Sequence, residues 1–313
     1  MTSPPEPHPD HFPTSFSRYF AAMRPPFLSA SLVPGFIGMA SAWHDGVLRH
    51  PLLLLPALLG PVLAGAGANV INDYYDHLNG CDAGNIERVY PFTGGSRMIQ
   101  NQVLTPRETW RLGFGLLLVA TAMGVALTPV LGWHLLGFVA VGFFIAWAYS
   151  APPLKLNSRG LGEICIALAF GIFLPMGADF VQRGEVSWLP VAAGFPYAML
   201  VTNLLYINQF PDQKADATAG KRHWVVRLGS ARARWIYLAL VLIGHGALLL
   251  AILLGWLPRV CLVALLTLPL GLAAAREVLR YHDQPARLSR GIQWTILTAI
   301  VQAVLMSLTL AAG

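Results

Sequence analysis

The sequence predicts an all-α integral membrane protein, with nine transmembrane helices and a cytoplasmic N-terminus. Three observations predict it. The 313-residue chain is 55% hydrophobic and only 12% charged, against about 25% charged in an ordinary soluble domain. Its apolar runs recur at the length of a bilayer core, and its basic residues fall on alternate sides of them. A soluble bundle with nine such helices would lack the polar sequence needed to clothe them.

A span takes about 20 mostly apolar residues. Runs of that kind fall at 26–44, 51–75, 111–128, 133–151, 161–181, 188–210, 233–255, 258–276 and 291–311. Residues 20–313 therefore read as one transmembrane domain. The segment before it, 1–19, opens MTSPPEPHPDHF. It has neither the basic start nor the continuous apolar stretch of a signal peptide, and reads as a disordered cytoplasmic tail.

Short loops rich in Lys and Arg stay on the cytoplasmic side. Arg18 and Arg24 precede the first run; Arg88, Arg97, Arg107 and Arg111 follow the second; Lys155 and Arg159 follow the fourth. Lys214, Lys221, Arg222, Arg227, Arg232 and Arg234 follow the sixth, and Arg276, Arg280, Arg287 and Arg290 the eighth. The opposite loops hold only Arg49, Arg183 and Arg259, so 18 of 21 basic residues fall on the N-terminal side. Membrane topology thus accounts for the net charge of +6 without a nucleic-acid partner. Cys81, Cys165 and Cys261 have no paired or metal-type spacing and read as free thiols.

Five of the nine aspartates fall in two places, both at cytoplasmic ends of even-numbered runs. ANVINDYYDHLNGCDAG (68–84) holds Asp73, Asp76 and Asp82; NLLYINQFPDQKADATAGKRHWVVRLG (203–229) holds Asp212 and Asp216. Asn69, Asn72, Asp73 and Asp76 are three or four apart, and Asn208, Asp212 and Asp216 step by four, so each set shares one helix face. Three readings are open. A solvated helix end is disfavoured by the negative pole of a helix C-terminus, and a proton or ion pathway would place acids deeper in the spans. The third is a divalent metal site: carboxylate and amide oxygens in pairs suit Mg²⁺, which shares its shell with substrate phosphate oxygens.

The basic residues beside these acids suit the third reading. Arg97 sits in YPFTGGSRMIQ, where a glycine pair can bring backbone N–H groups to an anion. Lys155, Lys214, Lys221 and Arg222 extend the same cytoplasmic face as candidate phosphate contacts. His77 and His223 read as polar loop surface, and Asp179, Arg183 and Glu185 as an ordinary external loop.

NDYYD at 72–76 resembles the first aspartate-rich motif of the UbiA superfamily of intramembrane aromatic prenyltransferases. DQKAD at 212–216, followed by GKRHWVVRLG at 220–229, resembles the second, and the likeness extends over residues 20–310. Asp82 in NGCD, FTGGSRMIQNQVLTP and GLGE are similar to the branch that prenylates 1,4-dihydroxy-2-naphthoate in menaquinone synthesis. Phe210-Pro211 before Asp212, and Trp224, depart from that branch.

The resemblance implies a bundle around a central cavity, with the acidic motifs at a cytoplasmic mouth, in a membrane such as the bacterial inner membrane. It implies a polyprenyltransferase in which Mg²⁺ on Asp73, Asp76, Asp212 and Asp216, supported by Asn69, Asn72 and Asn208, binds a polyprenyl diphosphate whose tail lies in the bundle or lipid. Tyr149 and Tyr206, with Tyr74 and Tyr75, are candidates to steady an allylic cation. Asp82 and Glu163 are candidates for contact with an aromatic acceptor or for proton removal. A prenyltransferase with a lipid-alcohol acceptor, and a transporter with an acidic gate, remain alternatives on the residues alone.

Overall fold

The computed structural model describes residues 4–313. Thirteen α-helices follow one another among them: α1 (Ser15–Ala22), α2 (Ser29–His44), α3 (Leu54–Leu78), α4 (Cys81–Gly84), α5 (Pro106–Leu131), α6 (Leu135–Ala148), α7 (Gly162–Leu168), α8 (Leu174–Arg183), α9 (Leu189–Thr218), α10 (Trp224–Leu228), α11 (Ser230–Leu253), α12 (Leu268–Tyr281) and α13 (Ser289–Ala312). A five-residue π-turn, Ala169–Phe173, joins α7 to α8, and a 3-10 segment, Arg259–Thr267, leads into α12. No strand forms among the described residues.

Eight helical stretches are long and apolar enough to cross a bilayer: Pro25–His44, Pro51–Leu78, Pro106–Leu131, Gly162–Arg183, Leu189–Thr218, Ser230–Leu253, Arg259–Tyr281 and Ser289–Ala312. The run at 133–151, expected as a ninth, forms only the 14-residue α6. At 1.5 Å per residue that is roughly 21 Å, short of a core of about 30 Å. Its ends explain the shortfall. Gly132, at φ +85°, stops α5 just before it, and Pro152 and Pro153 bar helix just after it. α6 nevertheless joins the two ends of α3. Leu135 packs with Leu131 of α5 and with Ala57 near the start of α3, and just past the last residue of α6 the Ser150 hydroxyl accepts a 3.0 Å bond from Asn72 near the end of α3.

Close helix approach comes from small residues, as expected where lipid supplies no hydrophobic drive. A Cβ on Gly67 of α3 would stand 2.9 Å from the Gly113 carbonyl of α5. A Cβ on Gly194 of α9 would stand 2.1 Å from the Gly171 carbonyl in the π-turn. These two crossings fix α3 and α9, the helices that carry the acidic columns. Behind them Ile37, Tyr197, Leu248 and Met306 form one buried core, and Tyr206, Ile207, Tyr237 and Ile292 a second.

At the end opposite the acidic columns, the loop expected to be ordinary is built around a buried ion cluster. Arg183 donates to Asp179 at 2.8 and 3.0 Å and to Asp45 at 2.7 Å, and Ser187 donates to Asp179 at 3.1 Å. The i, i+4 spacing of Asp179 and Arg183 places both on one face of α8, which ties it to the end of α2. Of the segment expected as a tail, residues 1–3 lie outside the described residues. Residues 4–19 include a 3-10 turn at Pro9–His11 and the start of α1, and Glu6 pairs with Arg88 beyond α3.

Candidate active site

The ends of α3 and α9 meet at the polar mouth of a cavity of about 420 Å³. Asn69, Asn72 and Asp76 from α3 line it, opposite Asn208, Asp212 and Asp216 from α9. Deeper in, the wall is apolar and aromatic, with Leu117, Phe138, Phe170 and Phe173. The expected columns therefore face each other, with one exception. Asp73 stands at the edge of its helix face, about 60° round from Asp76, and its carboxylate accepts the Ser96 N–H at 3.2 and 3.3 Å.

Three short segments close the mouth. After Gly80 turns the chain at φ +80°, α4 buries Cys81 and Asp82 beside Asp76. The loop 85–104 then returns over them. Gly95, at φ +73°, passes so close that a Cβ there would lie 2.4 Å from Asp82 Oδ2 and 3.1 Å from Asp73 Oδ1. Only glycine fits both the left-handed backbone and the space. Asn85 Nδ2 from the same loop donates to Asp212 at 2.5 Å. The third segment follows α9: Lys221 donates to Asp76 at 2.7 Å and lies 3.3 Å from Asp216, while His223 Nε2 lies 3.0 Å from the other Asp216 oxygen.

Burial disfavours the Lys221 charge, but Asp76 and Asp216 outweigh it and hold the ammonium well above its ordinary pKa. Asp82 is pushed the opposite way: burial first, then the charges of Asp76 and Asp73, raise it well above the carboxylate range. Burial likewise raises the Cys81 thiol, which donates to Asp216.

Of the other residues expected at the site, Tyr149 and Lys221 line the cavity. Arg97 is buried beneath the cap loop, where it donates to the Asp82 carbonyl and lies 3.6 Å from Glu6. Burial, and then neighbouring Arg88, lower its pKa. Lys214 points away, paired with Glu87 at 2.5 Å. Lys155 and Arg222 are exposed at the rim. Tyr206 is fully buried in the second core, and its hydroxyl donates to the Ala233 carbonyl at 3.2 Å. Glu163 is buried outside the cavity lining; its Oε1 accepts from Gln209 at 3.1 Å and from the Trp224 N–H at 2.9 Å. Gln209, and not Glu163, reaches the cavity.

Several mouth residues went unread in the sequence. His223, expected at the surface, is buried against Asp216 because α10 folds back under α9. Cys81, Asn85, Thr93 and Arg24 carry no motif that marks them, although Cys81 and Asn85 flank Asp82 closely enough to share its turn.

The donor set fits Mg²⁺. Asp82 Oδ2 and Asn208 Oδ1 are buried with no hydrogen-bond partner among the described residues, and such orphaned acceptors are costly unless a cation or donor meets them. Asp76, Cys81 and Asp82 each bring a ligand atom within 4.8 Å of the others. A hard cation takes the oxygens and leaves the thiol, which already donates to Asp216.

An acid-lined mouth opening on an apolar cavity, within a helical bundle of membrane-spanning length, defines an intramembrane enzyme. The chain belongs to the UbiA prenyltransferase family, whose model matches residues 31–301. It is 30% identical over 268 residues to the 1,4-dihydroxy-2-naphthoate octaprenyltransferase of Mycobacterium tuberculosis, covering 84% of this chain and 87% of that one. The enzyme of the same name from Escherichia coli is 30% identical over 90% of this chain and 92% of its own. The 2-carboxy-1,4-naphthoquinone phytyltransferase of Synechocystis is 25% identical over 90% and 89%. Among solved structures, a UbiA homolog from Archaeoglobus fulgidus superposes with a TM-score of 0.60 at 19% identity, covering 95% of this chain and all of that one. The structure of that homolog bound to GPP and Mg²⁺ gives 0.59 at 17%, again over 95% of this chain and all of that one.

Proposed function

We propose that this protein transfers a polyprenyl group from an allylic diphosphate to 1,4-dihydroxy-2-naphthoate or a related aromatic quinone precursor. The observation that carries the reading is the meeting of the α3 and α9 acids at the head of one apolar cavity. That arrangement suits a substrate with an anionic head and a long apolar tail. The naphthoate-directed names of the curated relatives support the acceptor class.

Asp76, Asp212, Asp216 and Asp82, with Asn208 and with Asp73 at the edge, would hold Mg²⁺. Bound there, the metal supplies positive charge against the charge that develops on the departing diphosphate. Lys221 brings an ammonium to the same place, held ready by Asp76 and Asp216. Arg97, fixed under the cap loop, adds a second cationic group close to Asp82. As the carbon–oxygen bond breaks, Phe170, Phe173 and Tyr149 keep water from the allylic carbon and present aromatic faces to its positive charge. A ring carbon of the acceptor gives an electron pair to that carbon, and the ring recovers its aromaticity by losing from the same position a proton, or a carboxylate as CO₂, whose bonding pair stays with the ring. Glu163 acts one step back, orienting Gln209 toward the cavity and anchoring α10 through Trp224.

The test is diphosphate release by the purified protein in detergent, with and without Mg²⁺, offering the naphthoate, 4-hydroxybenzoate or a lipid alcohol. Mg²⁺-dependent release with a prenylated naphthoate is expected. Transfer only to the lipid alcohol would overturn the acceptor class.

In the membrane, the reading has nine crossings and a cytoplasmic mouth, with α6 as the short fourth crossing. Its supports are the connection α6 makes between the two ends of α3 and the 18 of 21 basic residues on one side. An impermeant maleimide applied to intact cells should label His134→Cys, and should label Lys155→Cys only after lysis. Labelling of both from outside would remove that crossing.

A further inference from the structure

A second cavity, of about 480 Å³, lies beside the mouth. It is within the range of about 300–1,000 Å³ usual for small-molecule sites. Arg24, Phe27, Ala30, Phe92 and Leu204 line both cavities, so the second adjoins the first on the side of the head end. The rest of its lining is mostly apolar and aromatic: Phe12, Phe20, Ala21 and Tyr90 line it, Ile296 reaches it from α13, His11, Ser29 and Ser96 are its polar members, and no Asp or Glu takes part. Prolines 5 and 7 also line it, on either side of Glu6.

Glu6 fastens that segment to the cap. Its carboxylate accepts from Arg88 Nε at 2.7 Å and from Asn101 Nδ2 at 3.1 Å, and Asn101 also donates to the Pro7 carbonyl at 2.9 Å. Twelve of the nineteen residues of this wall come from 5–30, upstream of the family match at 31–301.

Transfer between two substrates needs two volumes of different shape. A prenyl chain needs length, and the first cavity offers it beneath the acids. A planar ring needs a short, flat, apolar space within reach of the diphosphate carbon, bordered by aromatic faces and free of carboxylates that would repel an acidic phenol or a ring carboxylate. We propose that the second cavity binds the aromatic acceptor, with residues 5–12 as its roof. This rests on the aromatic-acceptor reading above.

The test compares Ala21→Phe, which fills the cavity, and Phe12→Ala, which removes a wall, in steady-state transfer by the full-length protein. The acceptor KM should rise roughly tenfold in each, with the prenyl diphosphate KM within about twofold of the starting value. In Ala21→Cys, the naphthoate should slow maleimide labelling at position 21, located by mass spectrometry, and prenyl diphosphate with Mg²⁺ should not. An acceptor KM unmoved in both variants, with unprotected labelling, would overturn the assignment while leaving aromatic transfer by the unmodified protein intact. Parallel rises in both KM values with a lowered Tm would also overturn it, as a structural effect. An unmodified protein that transfers to no aromatic acceptor would overturn the function reading itself, and this assignment with it.

Discussion

Lys221 Nζ lies 2.7 Å from Asp76, so one buried ammonium joins the end of α3 to the segment after α9, across 145 residues of sequence. It also stands 3.3 Å from Asp216, and so holds two carboxylates of the mouth together. Removing one partner from such a group leaves buried charge uncompensated, a loss of about 3–5 kcal/mol. Lys221→Met should therefore lower the Tm in detergent as well as remove transfer. If diphosphate release falls while Tm is unchanged, the lysine serves the substrate and not the fold.

Asp82 should behave in the opposite way. Its Oδ2 is buried without a partner, and its charge is opposed by Asp76 and Asp73. Asp82→Asn puts a neutral side chain where ionisation is already opposed, so the metal-free protein should be at least as stable as the parent. The same change should weaken Mg²⁺ binding by at least roughly 10- to 100-fold, the loss that follows when only an outer-shell partner of a metal is removed. Thermal shift against Mg²⁺ concentration reads both effects. A lower Tm without metal, together with an unchanged Mg²⁺ response, would remove Asp82 from the metal set.

The acidic columns were legible because helix periodicity fixes which side chains share a face, and steps of three and four survive any tertiary arrangement. The same rule places Lys214 and Tyr206 off the site. Each is an even two residues from an acid or amide of its column, about 200° round the helix, and the structure pairs Lys214 with Glu87 and buries Tyr206 in the core. Partner choice at the mouth was not legible. Lys221 reaches Asp76, His223 reaches Asp216, and Asn85 reaches Asp212 only because α4, α10 and the cap loop fold together, and no local pattern encodes that meeting. Hydropathy saw the apolar content of α6 but not its length, which Gly132 and the Pro152-Pro153 pair set.

Gly95 sets the distance between the cap loop and the acids. In Gly95→Ala, the left-handed backbone alone costs about 1–2 kcal/mol, and the new methyl would meet Asp82 Oδ2 at 2.4 Å. Either the loop lifts or Asp82 turns away. The expected result is a large fall in kcat with the helical signal and expression kept, since Gly95 itself belongs to none of the buried apolar cores. A variant with the parent kcat would show that the loop can move without disturbing Asp82.

The roof segment should carry a pH dependence of its own. Burial raises the Glu6 carboxyl, but bonds from Asn101 and Arg88 and the Arg88 charge outweigh it, so the pKa stands below its ordinary value of 4.5. A carboxyl depressed on folding contributes stability that is complete above its unfolded pKa and is lost as pH falls through the folded one. Hydrogen exchange of residues 5–12 should thus be slow and constant from about pH 7 down to the ordinary carboxyl range, and should quicken below it once intrinsic rates are corrected. Glu6→Gln removes the charge at every pH, so it should quicken exchange near neutrality and flatten the acid dependence. If the parent keeps its full protection in acid, residues 5–12 are held by the apolar contacts of Phe12 and the prolines, and the Glu6 carboxylate is incidental to the roof.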